Sequence, residues 1–165
     1  MTIAEEIKHI DEQEKRIRFS SFTPDLAFEI GTAIRAEALR RGVAVAIDIR
    51  AFGQILFHCA MAGTAPDNER WIERKIAVVT RFHRSSFLVG RKLAAAGTTI
   101  DEKSFVSPFE FSPHGGCFPI RLTDGGVIGT ATVSGLPQEE DHDLVTSVLE
   151  RFVQTQQDSA DKNGA

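Results

Sequence analysis

His114-Gly-Gly-Cys-Phe-Pro-Ile-Arg-Leu-Thr-Asp-Gly-Gly-Val-Ile-Gly-Thr-Ala-Thr-Val-Ser-Gly135 decides how the rest of the chain is read. Two apolar runs flank Thr123-Asp124-Gly125-Gly126, a composition that predicts a tight β-hairpin. Gly115 and Gly116 open the first strand and Gly135 closes the second. Glycine at a strand boundary marks positive φ or a close approach to the backbone. A hairpin bounded in this way and followed by a helix predicts a sheet that cradles a ligand, but it specifies no reaction.

Upstream, Val43 to Ile49 is rich in β-formers, a turn follows near Arg50 to Gly53, and Gln54 to Met61 completes a second hairpin. A fifth, short strand is expected around Arg16 to Ser20, where Ile17 and Phe19 alternate with polar residues. Ile3, Ile7 and Ile10 recur at helical spacing. Thr23-Pro24-Asp25 is a helix start with Thr23 as cap, and Gly42 stops that helix. Pro66 opens a long helical region to about Ala96, expected to bend or break at Ser85-Ser86 and Gly90. Thr98 to Pro113 reads as a packed, phenylalanine-rich connection. The last helix begins near Pro137, and its wide apolar stripe from Leu144 to Val153 is that of a helix laid on a sheet. Hairpins with helices grouped between them predict an α+β fold with one antiparallel sheet of about five strands.

The chain has 165 residues, 42% of them hydrophobic, enough for one ordinary core. One domain is expected over residues 1–153, followed by a polar, disordered tail at 154–165. The net charge of −4 implies no bulk attraction to nucleic acid or anionic membrane. With two isolated cysteines, no signal peptide and no apolar run of spanning length, the expected compartment is the cytoplasm. Twelve phenylalanines against no tyrosine point to a dry aromatic interior or interface.

Order and motifs together resemble a known family. The pieces are Pro66-Asp-Asn-Glu-Arg-Trp71, Arg74-Lys75, Phe82-His-Arg-Ser-Ser86, Gly115-Gly-Cys-Phe-Pro-Ile120, Val133-Ser-Gly-Leu136 and Glu140-Asp-His-Asp143. This set is similar to uncharacterised protein family 0303, a branch of the GlcG/HbpS-like haem-degrading-domain group, over about residues 5–153. The resemblance implies a profilin/PAS-like sheet flanked by helices, and homodimers that build larger assemblies. It also implies haem or iron binding in some members of the wider group, while others sit beside corrinoid-dependent or glycolate-using pathways. Fold alone carries no chemistry.

The residues nominate their own site. Between Arg70 and Lys92 stand seven basic residues and one acid, Glu73. Arg70, Arg74 and Arg81 can share one side of a helix. Such a helix, with Lys75, facing a glycine-edged sheet suits carboxylates or phosphates, haem propionates among them. The competing reading is a solvated face paired with acids of a neighbouring subunit. His114 precedes the glycine pair, and histidine is the usual axial donor to haem iron; the alternative is a loop histidine bonded to a carbonyl. Arg70, Arg74, Lys75, His114, Gly115 and Gly116 are therefore the candidate ligand-binding residues. His83 reads as a partly buried helix histidine, His58 as a sheet residue, and His142 as a residue answering the charge of a helix start. Cys59 and Cys117 read as small core residues. Asp48 interrupts an apolar strand and needs a partner, Arg50 or an arginine of the basic helix. The acids at Glu139, Glu140, Asp141 and Asp143 fit capping without a metal.

No Gly-x-Ser-x-Gly elbow, His-Glu-x-x-His, Cys-x-x-Cys or phosphate loop is present. Three functions compete: a homo-oligomer that binds a small anionic planar ligand such as haem, an oligomeric scaffold or partner-binding protein without ligand, and a haem-degrading enzyme, whose chemistry is mostly the cofactor's.

Overall fold

In the computed structural model, which describes residues 1–164, six helices surround one sheet. The helices are α1 (Ile3–Arg16), α2 (Pro24–Arg41), α3 (Pro66–Phe82), α4 (Ser86–Ala95), α5 (Ile100–Ser104) and α6 (Gln138–Asn163). The strands are β1 (Ala46–Ala51), β2 (Gln54–Ala60), β3 (Cys117–Arg121) and β4 (Val127–Ser134). They pair in the order β2-β1-β4-β3, antiparallel throughout. Four strands replace the expected five. The segment at Arg16 to Ser20 makes one bridge, Phe19 to Leu122, through Phe19 N–H to the Arg121 carbonyl and Thr123 N–H to the Phe19 carbonyl. Phe22 then packs edge-on against Phe19, with ring centroids 5.3 Å apart, as the chain turns into α2.

Local signals set the helix ends. Thr23 Oγ1 accepts from Leu26 N–H at 3.1 Å with Pro24 in the first turn, and Gly42 closes α2 at φ 70°. The long helical region divides at His83, which sits at φ 55°, and Ser85 caps α4 through Leu88 N–H. Gly90 does not break a helix. A Cβ there would stand 2.0 Å from the Pro113 carbonyl oxygen, so the glycine lets the connection lie against α4. That connection contains α5. The polar stretch from Gln154, expected to be a disordered tail, is instead the end of α6 as far as Asn163; Ala165 lies outside the described residues.

Alternation along the strands gives the sheet two unlike faces. Ile47, Ile49, Phe118, Ile120, Ala131 and Val133 join Ile30 and Ile34 of α2 and Leu144, Val148 and Leu149 of α6 in the main core. The other face carries Asp48, Arg50, Thr130 and Thr132 beneath α3. Val78, Leu93, Ile100 and Val106 form a second cluster among α3, α4 and α5. Ile10, Phe87 and Leu88 join α1 to α4.

Candidate functional site

At the N-terminal half of α3, Trp71 and Arg74 stand one helical turn apart. The Arg74 guanidinium lies 4.3 Å from the Trp71 ring centroid, in the position of a cation over an aromatic face. His114 approaches the same indole edge-on, with centroids 5.4 Å apart and planes at 80°. Two bonds fix the loop that delivers it: Ser112 N–H donates to the Arg74 carbonyl at 3.0 Å, and Ser112 Oγ lies 2.8 Å from His114 Nδ1. That contact engages Nδ1 and not Nε2. Partial burial, and then the charges of Lys75, Arg74 and Arg91, lower the His114 pKa below the ordinary imidazole value.

The glycine pair serves close approach. Gly115 N–H donates to Gln138 Oε1 at 3.3 Å, and a Cβ on Gly115 would stand 2.1 Å from the Gln138 carbonyl oxygen. Gly116, at φ 131°, packs against the Val133 carbonyl and the Lys75 ammonium. Lys75 is itself only 2% exposed. Its Nζ donates to Asp141 Oδ2 at 2.9 Å and to the Val133 carbonyl at 3.1 Å. Burial raises the Asp141 pKa above the ordinary carboxylate value, and Lys75 opposes that shift.

Of the six predicted site residues, the structure brings Arg74, His114 and Gly115 together. Lys75 and Gly116 lie one layer beneath them. Arg70 faces solvent and pairs with Glu73 at 2.7 Å. Two hollows meet at this point. One of about 360 Å³ runs between α3, α4 and the connection, lined by Trp71, Arg74, Arg91, Ile100, Phe111 and His114 among others. The other, about 270 Å³, is bordered by Trp71, Lys75, His114, Gly115, Ser134 and Gln138 among others. Arg91 lines the larger one; its guanidinium lies 5.3 Å from the Phe87 ring centroid, and its buried Nε has no hydrogen-bond partner among the described residues.

The basic run is not a field of unpaired charge. Arg84 pairs with Asp11 and Glu14, Lys92 lies 3.7 Å from Asp11, and Arg91 reaches Glu6 at 3.5 Å. Those acids belong to α1 of the same chain. Arg81 stands near Phe82 and Phe111.

Other titratable residues fall elsewhere. His142 does not answer helix-start charge. It is 4% exposed and donates from Nε2 to Gln13 Oε1 at 2.8 Å, and burial pushes its pKa down to about 3. Asp48 finds the expected Arg50, which bonds both its oxygens, and a second partner in His58, whose other nitrogen faces Glu69 Oε1 at 2.6 Å. Burial pushes the Cys117 thiol up to about 12. His83 is exposed, with its carbonyl accepting from Arg121. Among the described residues, no group of three or more His, Cys, Asp or Glu is arranged to hold a metal ion, and no helix is long and apolar enough to cross a membrane.

Reading the sequence for sites missed Trp71, Arg91, Ser112 and Gln138. Trp71 is the single tryptophan of the chain and lies three residues before Arg74. That spacing on a helix was the available signal. Nothing local marks Ser112 or Gln138.

Comparison with known proteins agrees with this architecture. The family described as "Haem degrading protein HbpS-like" matches residues 22–150. A UPF0303 protein of Streptomyces coelicolor is 48% identical over 147 residues, covering 89% of this chain and 93% of its own length. The crystal structure of Ybr137w protein aligns with a TM-score of 0.84 at 37% identity, covering 90% of this chain and 88% of that one. The structure titled PduOC:Heme Complex aligns at 0.66 and 16% identity, covering 78% and 93%, which is a likeness of fold. With most of its length matched at this level, the chain belongs to the HbpS-like family, on its UPF0303 branch.

Proposed function

We propose that this protein binds a small, planar, anionic ligand in the hollow between α3, α4 and the connection that ends at His114. The observation that carries this reading is the cluster of Arg74 over Trp71 with His114 at its edge, beside the unpartnered Nε of Arg91. Buried polar atoms ordinarily have partners, so an orphaned guanidinium nitrogen in a residue that lines the hollow marks a place for an acceptor. Apolar contact comes from Leu93, Ile100 and Phe111 on the same wall.

Haem suits this donor set. Arg74 and Arg91 would meet its carboxylates, and His114, held through Nδ1 by Ser112, would offer Nε2. When bound, haem supplies a redox-active iron. The chain's own part is to orient an imidazole, neutralise acidic groups and cover an aromatic face. The haem-bound PduOC structure, a remote neighbour of the same fold, supports haem as the first ligand to try. Titrating haem into purified protein is expected to shift the Soret band and saturate at one equivalent. A spectrum that neither shifts nor saturates overturns the haem assignment. Native mass spectrometry for a co-purifying molecule then tests the broader ligand reading.

A second reading, self-association through aromatic residues, rests on Phe105 and Phe109, which are 94% and 88% exposed. Large apolar side chains held in water favour an interface. The chain is expected to form homo-oligomers, and a strictly monomeric mass at micromolar concentration overturns this.

A further inference from the structure

At the opposite end of α3, a cleft of about 430 Å³ lies between that helix and the polar face of the sheet, and it shares no residue with the hollow at His114. Its floor is one cross-strand rung. Arg50 of β1 pairs with Thr130 of β4 on one side and Ile55 of β2 on the other. Thr130 is 4% exposed and, among the described residues, its Oγ1 has no hydrogen-bond partner. Thr132, two rungs away on the same face, does spend its hydroxyl, on Cys117 Sγ. The orphan is therefore particular to the rung that lines the cleft.

Arg50 is held in place. Its Nε and Nη2 grip the two oxygens of fully buried Asp48 at 2.8 and 3.2 Å, which leaves Nη1 over. A guanidinium locked by one carboxylate presents its remaining N–H groups in a fixed plane. Ile55, Ile76 and Ile128 supply an apolar wall, while Thr80, His83 and Gln54 stand at the rim. No carboxylate lines the cleft. Glu69 and Glu73 lie nearby, engaged by His58 and Arg70. A fixed guanidinium whose charge Asp48 already balances, beside a hydroxyl with no partner, offers hydrogen-bond donors rather than net positive charge and so suits one negative charge with two acceptor oxygens better than a dianion.

We infer that this cleft binds a small monocarboxylate with a short apolar body, its carboxylate on Arg50 and the Thr130 hydroxyl and its body on Ile55, Ile76 and Ile128. The site is separate from the one proposed for a planar ligand, and neither assignment depends on the other.

Calorimetric or saturation-transfer titration of the full chain with butyrate and benzoate tests the inference, with butyramide and inorganic phosphate as comparison probes. Both carboxylates are expected to bind, and Thr130→Val to weaken them about tenfold, the effect of one bond to a charged acceptor. Ile76→Trp fills the cleft without touching the polar rung and is expected to abolish binding, while His114→Ala leaves it unchanged. Butyramide or phosphate binding as tightly as butyrate overturns the monocarboxylate assignment. So does an absence of carboxylate binding, or unchanged affinity in both the Thr130 and Ile76 variants.

Discussion

Lys75 Nζ and Asp141 Oδ2 meet at 2.9 Å, with both side chains all but closed to solvent, and so tie the middle of α3 to the first turn of α6. The Val133 carbonyl and Leu136 N–H complete the bonding around the pair. Removing one member of a buried ion pair leaves the other charge without compensation. Lys75→Met is therefore expected to destabilise the fold by about 3–5 kcal/mol. The double variant Lys75→Met with Asp141→Leu should recover much of that loss, and urea unfolding of the three proteins checks it.

His142 gives stability a pH dependence of definite sign. Its folded pKa, about 3, lies below the unfolded imidazole value of about 6.5, so the unfolded chain takes up the proton first. Its contribution is complete above about 6.5 and is lost as pH falls toward 3, on the order of 5 kcal/mol across that window. Replacing His142 with methionine is expected to flatten the unfolding free energy between pH 6.5 and 4, as read by denaturant titration at each pH.

The cysteines should differ in reactivity. Cys117 is fully buried with its thiol pushed up to about 12, whereas Cys59 is half-buried. Iodoacetamide at pH 8 is expected to label Cys59 alone in the native protein, and both in denaturant. Mass spectrometry of the labelled chain decides it.

Gly116 is confined by backbone as well as conformation. At φ 131°, an added Cβ would stand 2.4 Å from the Val133 carbonyl oxygen. Gly116→Ala is expected to cost about 1–3 kcal/mol, the usual range for overpacking. Gly126→Ala, where a Cβ meets nothing, should be far milder in the same thermal melts.

Trp71, the single tryptophan, lines the hollow proposed for the planar ligand. Haem binding is expected to quench its fluorescence with the same endpoint as the Soret titration. Arg74→Ala should weaken binding about tenfold, the worth of one charge-assisted contact. Because His114 has a lowered pKa, a step that uses its neutral nitrogen should persist to lower pH than an ordinary imidazole allows. Quenching unaltered in Arg74→Ala and His114→Ala places the ligand elsewhere.

How much of this was legible depended on whether the cause was local. Thr23-Pro24, Gly42 and the Thr123 to Gly126 turn act within a few residues, and each element they bound is where the sequence placed it. Asp48 was equally readable, because a carboxylate in an apolar strand must be answered nearby. The charge of the segment from Arg70 to Lys92 was misleading because its partners, Glu6, Asp11, Glu14 and Asp141, come from distant parts of the chain. His142 looked like a helix-start residue, yet α1 packs over it through Gln13. Phe19 alternated as a strand residue would, but the turn into α2 left it only one bridge. The orphaned hydroxyl of Thr130 has no signature at all, since Thr130 and Thr132 are indistinguishable in sequence context.

The two margins of the sheet are unequal. On the β3 side, the Cys117 amide and carbonyl are both taken by Ser86 Oγ, Pro119 has no N–H to give, and the Arg121 carbonyl is occupied by Phe19. That border is stoppered. On the far side, Gln54–Ala60 has β1 as its only ladder partner among the described residues and is largely open to water. Any lengthening of this sheet, by another copy of the chain or by a foreign extended peptide, thus has a single permitted direction, outward from β2.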